Sequence, residues 1–130
     1  MTAIDLNCDM GESFGNYKLG LDVQVMDHIT SANIACGFHA GDPEVMGRTV
    51  ETATQKGVSL GAHPGLPDLM GFGRRRMACS PEEIYHYVLY QVGALASMAR
   101  AHKARLNHVK PHGALYHMVL EDRDTAGAVA

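Results

Sequence analysis

The sequence predicts an α/β fold, a parallel sheet whose strands alternate with helices. Three observations lead there. Short strand-like runs recur at about 4–12, 31–37, 58–63 and 106–113. Helix-like segments at 22–30, 44–56 and 81–103 separate them, and another opens at 125–130. Two helices carry strong start signals, Asp42-Pro43 and Ser80-Pro81-Glu82-Glu83. The order β-α-β-α-β-α-β-(α) implies parallel strands joined by right-handed crossovers. Four such units fit an open sheet or part of a barrel. The last helix is cut off almost as it begins, and an uncovered sheet edge would remain. The 130 residues therefore read as a fragment, or as one part of a larger assembly.

The first strand, IDLNCDMGE, alternates Ile4, Leu6 and Cys8 with Asp5, Asn7 and Asp9. One of its faces is polar, which suits a solvated edge or the floor of a site. DVQVMDHIT follows as a short helix with Asp22 as its N-cap. SANIACG is the second strand. Asp42-Pro43 then places a side-chain acceptor at an N-cap and proline at N1, where its missing N–H costs nothing. That helix runs to Gly57, a natural C′ residue. VSLGAH is the third strand. The Gly- and Pro-rich segment 64–79 is longer than most connections, and such loops are often functional. Ser80 to Glu83 form a capping box. The helix it opens keeps Ile84, Val88, Val92, Leu95 and Met98 on one face. LNHVKPHG is the fourth strand, and Glu121 to Asp124 lead into the final helix. The glycines at 11, 37, 41, 61, 65 and 113 read as tight-turn residues, with positive φ where needed.

Composition narrows the function. Hydrophobic residues make up 46% and charged residues 19%, as in ordinary globular proteins. The formal net charge is -3 and the basic residues form no long stripe, which gives nucleic-acid or membrane-surface binding no electrostatic support. No apolar run approaches the ~20 residues of a membrane span. No signal-peptide pattern opens the sequence. Cys8, Cys36 and Cys79 are odd in number and widely spaced, which fits a reduced cytoplasm better than a disulfide framework or zinc ribbon. There is no GxxxxGK[ST] loop, no GxGxxG fingerprint and no Gly-x-Ser-x-Gly elbow.

The polar residues fall in a pattern. Buried parallel strands are usually continuous apolar runs. Here each ends in polar groups: Asp9 and Glu12 after the first, His39 and Asp42 after the second, His63 after the third, Lys110 and His112 after the fourth. In a parallel α/β architecture these C-terminal ends share one side, where such folds place their sites. His28, His86, His102, His108 and His117 lack that placement and read as structural or surface, His117 being nearest the Lys110–Gly113 turn. Asp5 and Asn7 also fit a polar barrel interior. Asp42 fits a cap as well as a site. One of Arg74, Arg75 and Arg76, in the long loop over the same face, is placed to clamp a carboxylate or phosphate, Arg74 being the candidate. An Asp with two histidines suits a divalent metal that polarises a carbonyl or activates water. Without metal, Asp9 would serve as general base, with Lys110 and the histidines facing a developing oxyanion. Both readings point to attack on a carbonyl centre.

Taken together, DLNCDMGESFG, ANIACGFHAGDP, GAHPGLPDLMGFGRR and VKPHGALYH resemble the LamB/YcsF lactam-utilisation family over essentially the whole chain. The resemblance implies an incomplete, seven-stranded (β/α) barrel of the deacetylase-like type, with about the first four units present here, so that residues 1–130 would be the N-terminal part of a single (β/α) barrel domain. It implies opening of the 5-oxoproline (pyroglutamate) lactam to L-glutamate, driven by ATP, in a 5-oxoprolinase whose A subunit acts with its B and C subunits. The ATP site would be shared with, or supplied by, those partners. Asp9, His39, His63, Lys110 and His112 become the expected catalytic groups, and Asn7, Glu12, Asp42 and Arg74 the expected substrate contacts. By analogy with the deacetylases, Asp9, His39 and His63 would hold a divalent metal. The chain has neither their Asp-Asp pair nor their His-x-x-x-His, so a metal-free site stays open. The alternatives are a metal-dependent amidohydrolase acting alone and a non-catalytic protein that binds the lactam or regulates its partners. The open barrel edge predicts self-association.

Overall fold

The computed structural model describes residues 3–130. Four strands, β1 (Asn7–Met10), β2 (Ser31–Ala35), β3 (Ser59–His63) and β4 (Leu106–Val109), form one sheet in the order β1-β2-β3-β4. Every pairing is parallel. Helices α1 (Asp22–Val25), α2 (Pro43–Gln55) and α3 (Pro81–Ala101) lie between successive strands, and α4 (Gly113–Glu121) and α5 (Arg123–Val129) follow β4. The expected α/β class and strand order hold, and the open sheet of βα units agrees with a partial barrel.

Several boundaries differ from expectation for local reasons. β1 is shorter than 4–12: Asp5 turns its carboxylate onto the hydroxyls of Thr30 and Ser31, and Gly11 leaves the strand at φ +70°. α1 is a single turn, and Asp22 is not its N-cap. Its carboxylate accepts instead from the N–H of Gly11. β4 stops at Val109, just ahead of Pro111, which has no N–H to donate. The sequence reading missed α4, because its first residue is Gly113 and His112 offers no side-chain cap. The cap signals themselves hold: Asp42 accepts from the N–H of Val45, and Ser80 and Glu83 make a reciprocal capping box.

The sheet's two faces divide the chemistry. Ala32, Ile34, Leu60 and Ala62 point toward the helices and pack with Met46, Val50, Ala53, Leu95 and Ala99 in the main core. A second core joins Leu66, Ile84 and Val88 to Ala114, Leu115 and Met118 of α4. On α3 the fully buried positions are Ile84, Gln91, Leu95 and Ala99, with Val92 and Met98 only partly covered. The opposite face of the sheet is polar. Period-two alternation puts Asp9, Asn33, Gly61 and His108 in one register-aligned row across all four strands. A register shift between β3 and β4 makes this row possible. Leu106 packs with the helix-side core, so strict alternation would send His108 there too; the irregularity turns His108 to the polar face.

Candidate functional site

The site grows from that polar row toward the C-terminal strand ends. Gly61 has no side chain, and the His108 imidazole occupies the space: a Cβ at position 61 would lie 2.0 Å from its Nε2. His108 Nε2 reaches Asn33 Oδ1 at 2.7 Å. Asn33 then donates through Nδ2 to Asn7 Oδ1 and Asp9 Oδ1, each at 2.9 Å. Gly61 and Gly65 therefore supply room rather than a positive-φ turn, unlike Gly11, Gly37, Gly41 and Gly113. His108, read from the sequence as structural or surface, is an anchor of the row.

Asp9 is the hub. Lys110 Nζ donates to its Oδ1 at 2.7 Å, and His63 Nε2 lies 3.3 Å from its Oδ2. Burial alone would raise its pKa, but the contacts with His63, Lys110 and Asn33 outweigh that and hold the carboxyl well below the usual carboxylate range. Glu12, also half-buried, is shifted the other way, by burial and then by the charge of Asp9.

Three histidines meet beside Asp9. His39 and His112 stack with ring centroids 3.7 Å apart and planes 6° from parallel. His63 stands perpendicular to both. His63 Nδ1 lies 2.6 Å from the Lys110 carbonyl oxygen, and His112 Nε2 lies 2.8 Å from that of Phe72. His112 Nδ1 and His63 Nε2 are 3.0 Å apart. His39 is fully buried, and neither of its ring nitrogens has a hydrogen-bond partner among the described residues. Burial, then the neighbouring His112 and His63, lowers its pKa to about 2, and burial lowers that of His112 as well. Gly65 packs against His39 so closely that a Cβ there would lie 2.5 Å from Nδ1. Gln91 fixes Gly65 by bonding both its N–H and its carbonyl. Sequence reasoning missed Gln91 and Asn33. The signal for each was a lone amide inside an otherwise apolar helix face or strand.

The expected metal set needs correction. The ligand atoms that the fold brings within 4.8 Å of one another belong to Glu12, His39, His63 and His112, not to an Asp9–His39–His63 triad. The stacked pair limits this set further. An imidazole binds a metal through a lone pair in its own ring plane, and two stacked parallel rings share no in-plane point. His39 and His112 thus do not serve one ion together. His63, His112 and Glu12 do fit a divalent ion.

A cavity of about 530 Å³ opens onto these groups, lined by Asp9, His63, Arg74, Lys110 and His112, with Tyr116 and His117 of α4 on its wall. His117 is therefore a site-wall residue, not merely a surface one. Arg75 is paired with Asp68 and Arg76 with Glu121, whereas Arg74 has no carboxylate partner among the described residues and lies over the Phe72 ring. Asp42 does not line this cavity. Its two oxygens cap α2 and bind the N–H of Gly15. Asn7 does not line it either: it is exposed at the N-terminal end of β1 and accepts from Asn33. Asp9, His39, His63, Lys110 and His112 converge as the strand-end pattern implied.

Comparison with known proteins follows the same outline. The LamB/YcsF family pattern matches residues 4–130. The chain belongs to the LamB/YcsF family. It is 61% identical over 130 residues to the 5-oxoprolinase A subunit of Bacillus subtilis (strain 168), covering 100% of this chain and 51% of that protein. It is 63% identical over 127 residues to the protein of the same name from Symbiobacterium thermophilum, covering 98% and 49%. The crystal structure of a lactam utilization protein from Thermus thermophilus superposes with a TM-score of 0.96 at 52% identity, over 98% of this chain and 52% of that one. The chain thus spans about half the length of the curated relatives it matches. No helix among the described residues is long and apolar enough to cross a membrane.

Proposed function

We propose that this LamB/YcsF chain carries the catalytic strand ends of a 5-oxoprolinase A subunit, which opens the 5-oxoproline lactam to L-glutamate with coupled ATP hydrolysis. The observation that carries this reading is the Asp9–Lys110–His63 contact set on the wall of an open cavity. Relatives that match the whole chain bear the name of the 5-oxoprolinase A subunit, which supports it.

Ring opening adds water across an amide C–N bond: oxygen joins the carbonyl carbon, and a proton goes to the departing nitrogen. Asp9 stays ionised at neutral pH, so it acts as an acceptor that orients the water. Lys110 has three donors and places one on Asp9, which leaves capacity for a developing oxyanion. Arg74, without a carboxylate partner at the cavity wall, is matched to the carboxylate of 5-oxoproline. A divalent cation in the histidine cluster would supply Lewis-acid polarisation of the carbonyl. ATP is the proposed co-substrate, its site shared with or supplied by the B and C subunits. The three free cysteines suit a cytoplasmic setting. The unpaired edge of β4 suits association, with a second copy or with further strands. The test is ATP-dependent glutamate release from 5-oxoproline by the complete gene product with its partner subunits. Activity lost on Asp9→Asn with assembly intact supports the reading; undiminished turnover removes Asp9 from the chemistry.

A further inference from the structure

We infer that Glu12, His63 and His112 form a binding site for one divalent ion of the zinc class. The argument starts from proton positions. A carbonyl oxygen only accepts hydrogen bonds. The ring nitrogens that touch the Lys110 and Phe72 carbonyls, His63 Nδ1 and His112 Nε2, must therefore carry the protons. In neutral imidazoles the opposite nitrogens are then bare lone pairs. These two, His63 Nε2 and His112 Nδ1, face each other at 3.0 Å. Asp9 Oδ2, a third acceptor, lies 3.3 Å from His63 Nε2. These contacts are favourable only where a cation, a proton on His63 Nε2 or a metal ion, sits among them.

The 3.0 Å spacing is somewhat shorter than a shared metal sets, so the two rings would part slightly to admit an ion. Two nitrogens bound at about 2.0–2.1 Å to one tetrahedral ion lie roughly 3.4 Å apart. The outward N–H of each ring rests on a backbone carbonyl, the arrangement that fixes metal-binding histidines in orientation and tautomer. Glu12 completes the set with a half-buried carboxylate whose oxygen lies within 4.8 Å of the ring nitrogens. Two nitrogens and one carboxylate select a borderline ion such as Zn²⁺ over Mg²⁺ or Ca²⁺. His39 stacks on His112 and stiffens it. Its two buried ring nitrogens have no hydrogen-bond partner among the described residues. This inference deepens the lactam reading, because the ion would lie beside the reacting carbonyl, but its test needs no lactam.

The complete gene product, stripped with chelator, would be titrated with Zn²⁺ by calorimetry and with Co²⁺ by visible absorption. The expected result is one ion per chain, Co²⁺ ligand-field bands and a raised melting temperature. Glu12→Gln and His112→Ala should each weaken binding at least tenfold, with folding checked by circular dichroism. His86→Ala, at an exposed position of α3, should bind as wild type. Absence of stoichiometric binding, or wild-type affinity in both Glu12→Gln and His112→Ala, would overturn the site; a proton bridging His63 and His112 would then account for their contact. Loss of lactam turnover with metal binding intact would count against the activity alone.

Discussion

The ammonium of Lys110 lies 2.7 Å from Oδ1 of Asp9, 101 positions away in sequence. The first and fourth strands thus deliver opposite charges to one point, and the pair is only partly exposed. Removing either partner leaves a half-buried charge without its counterion. Asp9→Asn and Lys110→Met should each lower kcat for lactam opening by about 10²–10⁴-fold, the usual range for a positioned acid–base or oxyanion group. Steady-state kinetics with circular dichroism as a folding control would check this. A change confined to KM would place both residues in binding instead.

Acid should destabilise the chain earlier than carboxylate titration alone would. His39 is held neutral down to about pH 2, whereas its unperturbed value is 6.5. The unfolded chain takes up a proton below about pH 6.5 that the folded chain refuses. Stability is therefore constant above that value and falls beneath it, by about 1.4 kcal/mol per pH unit for one such histidine. His112, also lowered, acts in the same direction. Asp9, whose folded pKa is depressed, adds its own loss only below about pH 4. Denaturant melts of chelator-treated protein between pH 5 and 8 should show the first slope, and His39→Met should flatten it.

Gln91→Leu should cost roughly 2–4 kcal/mol. Its amide is fully buried and satisfies both backbone groups of Gly65, which would be left unpaired. Gly65 backs His39, so the loss should also loosen the histidine cluster. Urea unfolding measures the first effect, and a lower affinity for Zn²⁺ the second.

Gly61→Ala tests the polar row. The new Cβ would occupy the place of the His108 ring. Displacing that ring breaks its bond to Asn33 and should destabilise the fold by about 1–3 kcal/mol through overpacking. A smaller effect in a His108→Ala background, measured as a double-mutant cycle, would confirm that the two positions compete for one space.

Much of this was legible in the sequence because local chemistry set it. The Asp42 and Ser80 caps hold because a side-chain acceptor beside a proline at N1 acts within a single turn. The strand-end convergence of Asp9, His39, His63, Lys110 and His112 follows from parallel topology alone. What escaped depends on contacts between distant strands. The register shift that turns His108 inward has no signature in LNHV. Gly61 looked like a turn residue until the ring filling its space was known. The ligand atoms that meet belong to Glu12 and the three histidines rather than to Asp9, because side-chain directions, not residue spacing, decide which atoms converge.

The most direct test of the central claim is glutamate formation from 5-oxoproline by the complete gene product with its partner subunits, with and without ATP. The account predicts ATP-dependent glutamate release that falls at least a hundredfold on Asp9→Asn while the assembly persists. No glutamate from the intact assembly, or unchanged release by the Asp9→Asn variant, would contradict it.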